Sequence, residues 1–234
     1  MTVETTPSAF ADRTVGEIAA ALPGATAVFR RFNLDFCCGG AVRLDEAASK
    51  RGVDLAAIDH ALAELNHEAG DPAPRDTGAL IAHILARYHE THRRELPELL
   101  RLARKVERVH ADHPRAPLGL ADALHRMGLE LESHMQKEEL VLFPLMQACA
   151  SDGRVAPPPM IRHPIAQMRH EHDEHGRHIA ELRTLTRDLA LPDGACRSWQ
   201  ALYAGIGKLI DDLMEHIHLE NNLLFPRFAP GIRD

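Results

Sequence analysis

Two segments of the chain carry histidine and glutamate at one spacing, each followed by the same Phe-Pro pair. They are His134-x3-Glu138-x4-Phe143-Pro144 and His216-x3-Glu220-x4-Phe225-Pro226. Residues four apart lie one above the other on a helix, so each imidazole and carboxylate can converge on one point. Imidazole with carboxylate is a donor set for a transition metal. A histidine doublet precedes each segment: His89-x2-His92 and His172-x2-His175. The offsets are 82 residues from His134 to His216 and 83 from His89 to His172, so the region reads as two related helical hairpins. Spacing alone does not separate His89 from His92, or His172 from His175. One histidine from each doublet makes a set of four histidines and two glutamates. If each glutamate bridges two metals and each metal takes two histidines, a bridging oxygen brings each to five ligands, with one position open. Ligand type alone admits manganese or zinc as well as iron.

These residues need helices to hold them. Strand patterns are almost absent, and four long helical stretches are predicted over 77–110, 117–149, 159–190 and 197–225. The breaks between them carry Pro, Gly and Asp, so an up-down-up-down bundle is expected. Each stretch has an apolar stripe that must face the core, and histidine interrupts every one of them. The second stripe runs Leu120, Leu124, Met127, Leu131, His134, Glu138, Leu142, Leu145. The fourth runs Trp199, Leu202, Ile206, Leu209, Leu213, His216, Glu220, Leu223. An ionised carboxylate in a core is costly unless it is paired or holds a metal, and a metal would account for the interruptions together. A lone core histidine is more often a hydrogen-bonding core residue, but the repeat makes coincidence a poor account of six. Glu130 and Glu171 are candidates for a supporting or proton-relay role, with plain exposure as the alternative. The remaining histidines, His178 and His218 among them, are expected in solvent.

Ahead of the bundle, residues 14–67 read as short helices, with a linker at 68–76. Thr14 and Glu17 form a capping-box pattern, and Pro23-Gly24 ends the first helix. Cys37-Cys38-Gly39-Gly40 is expected at a helix start, where amides favour a thiolate. The pair reads as a reactive or iron-handling thiol or as a small semi-buried turn, and it is too close in sequence to chelate one metal comfortably. Cys149 and Cys196 are expected to be inert. The fold class is thus all-α: a small helical domain over 1–70 and a four-helix bundle over 77–230.

Composition narrows the function classes. Aromatic residues make up 4% of the chain and the formal charge is −7, which disfavours base stacking and phosphate binding. No apolar run approaches the roughly 20 residues of a membrane helix. Residues 1–10 lack the cationic start and apolar segment of a secretory signal. The four cysteines, two adjacent and two isolated, make no disulfide framework and suit a reducing compartment, so a cytoplasmic protein is expected.

Phe36-Cys37-Cys38-Gly39-Gly40 resembles the motif of a ScdA-type N-terminal domain. Tyr88-His89-x2-His92-Arg93, His134-Met135-x-Lys137-Glu138-Glu139, Glu171-His172-Asp173 and His216-x-His218-Leu219-Glu220-Asn221-Asn222 resemble a hemerythrin-like domain. In this order, over about 14–228, the chain resembles the iron–sulfur cluster repair di-iron proteins, the Repair of Iron Centers family. The resemblance implies two oxo-bridged irons held by His89, His134, Glu138, His172, His216 and Glu220. It implies repair of clusters damaged by nitric oxide or oxidants, through iron donation, nitric oxide processing at the irons, or both. It further implies damaged iron–sulfur proteins as partners, nitric oxide or dioxygen as the small ligand, and roles for Glu130, Glu171, Cys37 and Cys38. It is compatible with a homodimer through the small domain. An oxygen-binding or redox-sensing module is the alternative.

Overall fold

The computed structural model describes residues 10–65, 73–151 and 159–229, and every regular element among them is helical. None of the described helices is long and apolar enough to cross a membrane. Packing divides the chain into two compact units, Met1–Ala73 with Ile217–Asp234, and Pro74–His216.

In the first unit, α1 (Val15–Ala21) begins as expected. The Thr14 side chain accepts from the Glu17 amide, and the Glu17 carboxylate accepts from the Thr14 amide. Gly24, at φ 86°, then starts α2 (Ala25–Arg31). Further on, α3 (Leu44–Arg51) closes on Gly52, and α4 (Leu55–Ala63) is capped by Asp54. Val15, Ile18, Phe29, Phe36, Leu44 and Ile58 are fully buried among these elements.

The helix expected to start at the cysteine pair does not form there; α3 begins only at Leu44. Asp35 is the reason. Its Oδ1 accepts from the amides of both Cys37 (3.2 Å) and Cys38 (3.0 Å), a local turn that competes with helix formation. The predicted end of α4 at His67 and most of the 68–76 linker lie outside the described residues, as does most of the break at 151–159.

The second unit is built from four helical rods. The first joins α5 (Thr77–Ile84) to α6 (Glu90–Val109) through a π-helical turn, Leu85–His89. The second joins α7 (Leu120–Lys137) to α8 (Phe143–Ser151) through another, Glu138–Leu142. The third is α9 (Arg162–Thr186), and the fourth is α10 (Arg197–His218) as far as His216. A third π turn, Leu219–Leu224, follows α10 and falls in the first unit.

Two rods are shorter than predicted. Gly119, at φ 88°, delays α7 to Leu120. α9 stops at Thr186 because Arg187, Asp188 and Leu189 all turn left-handed, at φ 53°, 54° and 61°. The Thr186 hydroxyl accepts from the Leu189 amide, and Arg115 donates to the Ala190 carbonyl, which holds this bend.

The π turns also correct the stripes. Leu145 and Leu223 are only half-buried, whereas Met146 and Leu224 are fully buried in their place. A π turn inserts one residue, so everything beyond it moves round the helix by one position. Pro144 and Pro226 each follow such a turn. Lacking an N–H, each leaves the carbonyl four residues back, Leu140 or Asn222, without its α-helical donor.

Among the described glycines of the first unit, Gly16 has the least room for a side chain. Its amide donates to the Gly40 carbonyl at 2.8 Å. A Cβ on Gly16 would lie 2.8 Å from that oxygen and 2.7 Å from Asn222 Oδ1. Gly16→Ala is expected to lower stability by about 1–3 kcal/mol despite alanine's better helix propensity. The change in urea midpoint at constant m-value measures it.

Candidate metal centre

His89 closes the π turn of the first rod, and two contacts fix that turn. Arg87 pairs with Asp212 of α10 through two hydrogen bonds, at 2.7 and 3.2 Å. The Tyr88 ring stacks on His216 with centroids 5.7 Å apart. His134 lies in the last turn of α7, and Glu138 opens the next π turn, so the two keep their i, i+4 relation. His172 comes from the middle of α9 and His216 from the end of α10. All five are at most 1% exposed.

The five side chains form two groups around one carboxylate. Donor atoms of His89, Glu138 and His216 lie within 4.8 Å of one another, as do those of His134, Glu138 and His172. His89 Nε2 and His216 Nε2 are 3.1 Å apart, and His134 Nε2 and His172 Nε2 are 3.2 Å apart. Glu138 divides its oxygens between the groups. Oε2 lies 3.4 Å from His89 Nε2, and Oε1 lies 3.3 Å from His134 Nε2.

Outer partners set the direction of the imidazoles. His89 Nδ1 donates to Glu139 Oε1 at 2.8 Å, and His134 Nδ1 donates to Glu171 Oε2 at 3.0 Å. A carboxylate only accepts, so both rings carry their proton on Nδ1 and aim the Nε2 lone pair inward. Glu139 is held in turn by Arg93 (2.7 Å), and Glu171 by Lys137 (2.7 Å) and Gln167 (2.9 Å). Burial works against ionised Glu171, yet hydrogen bonds from His134, Lys137 and Gln167 outweigh it and hold its carboxyl at about 2. Inward lone pairs at this separation around a fully buried carboxylate are the donor set of a cation, and they fit two metal positions sharing Glu138.

Glu220 is fully buried and stands four residues beyond His216, inside the third π turn. His92 and His175 are also buried and lie beside the groups. The His92 ring is 5.6 Å from His216, and the His175 ring is 5.0 Å from His134. Burial, then the neighbouring imidazoles, push His92 down to about 3 and His175 to about 2.

Other expectations are sorted by position. Glu171 is buried and touches His134. Glu130 is exposed, with its Oε2 3.4 Å from His178 Nε2. Cys37 and Cys38 lie in the first unit. A hydrogen bond with Cys38, burial and the Asp35 carboxylate hold the Cys37 thiol well above its ordinary range, which reverses the expected thiolate. Cys196 Sγ is 3.2 Å from His110 Nε2. His218, expected in solvent, is 2% exposed, with Asn222 Nδ2 2.9 Å from its Nδ1. Glu139 was missed as an orienting residue. The available clue was the repeat itself, in which Asn221 stands at the position matching Glu139.

A buried His/Glu cluster of this kind in a four-helix bundle defines a hemerythrin-like, cation-binding protein. A family model described as the hemerythrin HHE cation binding domain matches residues 80–228, and the ScdA_N model, a domain of unknown function, matches 11–67. The iron-sulfur cluster repair protein YtfE of Dickeya chrysanthemi is 47% identical over 225 residues, covering 95% of this chain and 99% of its own. That of Musicola paradisiaca is 49% identical over 227 residues, covering 95% and 98%. A probable iron-sulfur cluster repair protein of Haemophilus influenzae is 44% identical over 223 residues, covering 93% and 97%. The chain belongs to this family of iron–sulfur cluster repair proteins.

The buried histidines give the metal-free protein a defined acid response. His92 and His175 have folded pKa values below the usual 6.5, so the unfolded chain binds more protons between about 3 and 6.5. Their contribution is present above pH 6.5 and is lost as pH falls through that window. Each is expected to cost about 2 kcal/mol between pH 7 and pH 5. His175→Gln should reduce this loss of stability by about that amount, read from urea midpoints of the metal-free protein at the two pH values.

Proposed function

We propose that this chain is a di-iron protein that repairs iron–sulfur clusters damaged by nitric oxide or oxidants. The observation that carries the reading is Glu138, whose two oxygens each face one histidine pair. In this reading His89 and His216 hold one iron, and His134 and His172 the other. Glu138 would be held in common by the two, and Glu220, one turn beyond His216 and fully buried, would add a second carboxylate, with an oxo group as the remaining shared ligand. The relatives' name as repair proteins extends the reading to damaged iron–sulfur proteins as partners and to a cytoplasmic setting, and a homodimer is compatible with it.

When bound, iron supplies redox chemistry and an open position for a small ligand such as nitric oxide or dioxygen. The protein's own part is mostly electrostatic and positional. Glu139 and Glu171 fix the tautomer and aim of His89 and His134 and raise their basicity. Burial keeps bulk water from the donors. Glu138 and Glu220 offset the charge of the cations, which the low-dielectric core would otherwise oppose. The donor set admits both iron delivery and nitric oxide processing at the same irons.

Elemental analysis tests the core of this proposal. The purified protein is expected to hold about two irons per chain, and His134→Ala/His216→Ala is expected to hold almost none. Iron absent from the wild type, or retained by the double variant, would refute it.

A further inference from the structure

The first unit carries a second cluster of metal-binding atoms, remote in kind from the imidazoles. Asp35, Cys37 and Cys38 place a carboxylate oxygen and two sulfurs within 4.8 Å of one another. The sulfurs are 3.8 Å apart, and Cys37 Sγ is 3.3 Å from Asp35 Oδ1. A disulfide would need about 2.0 Å. Two thiolates about 2.3 Å from a tetrahedral cation stand about 3.8 Å apart, and a thiolate and a carboxylate oxygen about 3.5 Å apart. The two observed spacings are thus close to those of a bound cation. Adjacency in sequence does not prevent chelation here, contrary to the expectation from spacing alone, because both sulfurs turn to the same side.

The loop is built to keep this arrangement. Asn221 Nδ2 donates to the Cys37 carbonyl and Asn222 Nδ2 to the Phe36 carbonyl, both at 3.0 Å. The amides of Cys37 and Cys38 hold the Asp35 carboxylate on the sulfur side. Gly39 leaves room for it: a Cβ there would lie 3.2 Å from the Asp35 carbonyl oxygen and 3.3 Å from its carboxyl group. Gly40 has no room for a side chain beside Asn222 Oδ1, 2.9 Å from where its Cβ would stand. Cys37 is buried, Cys38 half-buried and Asp35 exposed, so the cluster opens on one side.

We propose that Asp35, Cys37 and Cys38 form a separate site for one thiophilic divalent cation, with three protein ligands and an open position. Binding releases the two thiol protons to solvent and forms two metal–sulfur bonds and one metal–oxygen bond, without change of oxidation state. Three ligands on an open loop make an exchangeable site, unlike the enclosed histidine groups. That the cation is ferrous iron in transit rests on the proposed repair function; the site itself does not.

Cobalt(II) titration of the iron-loaded full-length protein under anaerobic conditions tests the site. The histidine groups offer only nitrogen and oxygen donors, and the titration is run in a Cys149→Ser/Cys196→Ser background, so a near-ultraviolet sulfur-to-cobalt charge-transfer band reports this cluster alone. The band should saturate near one cobalt per chain. It should vanish in Cys37→Ser and in Cys38→Ser, with iron content and circular dichroism unchanged. Asp35→Asn keeps an acceptor for the two amides but loses the charge, and it should bind cobalt about tenfold or more weakly. Absence of the band in the wild type, its survival in either serine variant, or unchanged affinity in Asp35→Asn would overturn the proposal. Iron content is measured separately, so failure here is distinct from failure of the di-iron reading.

Discussion

One constraint governs the bundle: Glu138 is fully buried with imidazole nitrogens aimed at both of its oxygens. Burying a carboxylate without a compensating charge is among the costliest acts in folding. Lone pairs turned toward one another add to the cost. A cation between them converts each of these penalties into a bond. Much of the surrounding architecture serves this purpose, from the Arg87–Asp212 pair that pins the turn of His89 to the carboxylates that hold the rings in one tautomer. The apolar stripes of α7, α9 and α10 supply the dry enclosure that makes such bonds strong.

The same constraint explains where regular helix gives way. Each of the three π turns carries one of the six histidine and glutamate positions: His89, Glu138 and Glu220. A wider turn alters the helical register locally, and π turns are frequent at functional positions for that reason. Two of them are followed by proline, which removes the donor that would close an ordinary turn. The Phe-Pro pairs in the repeat therefore belong to the geometry of the centre as much as His-x3-Glu does.

Much of this was legible in the sequence, because it depends on periodicity. The helical rods, the capping box at Thr14 and the burial of His89, His134, Glu138, His172, His216 and Glu220 all follow from apolar residues recurring at helical spacing. The failures share a cause. Leu145 and Leu223 were assigned to the core by counting at a constant period, and a single inserted residue changed the count. The helix expected at Cys37 was displaced by an Asp35 side chain bonding two nearby amides, a local competition that periodicity does not register. His218 was taken for a surface residue because no repeat marked it, yet Phe36 packs against its ring, a contact between residues far apart in the chain. Glu139 was overlooked and Glu171 left open for a similar reason: an orienting carboxylate is defined by the ring it meets across the bundle.

The third π turn carries a consequence for the duplicated hairpins. Where the first copy follows its glutamate with another glutamate, the second follows Glu220 with Asn221 and Asn222, which grip the backbone of the cysteine loop. Successive residues on a helix point roughly 100° apart, so Glu220 and Asn221 are like two cogs cut on one shaft. Divergence of one copy has thus set a buried carboxylate and the anchors of the thiol loop on successive residues of one short helical turn.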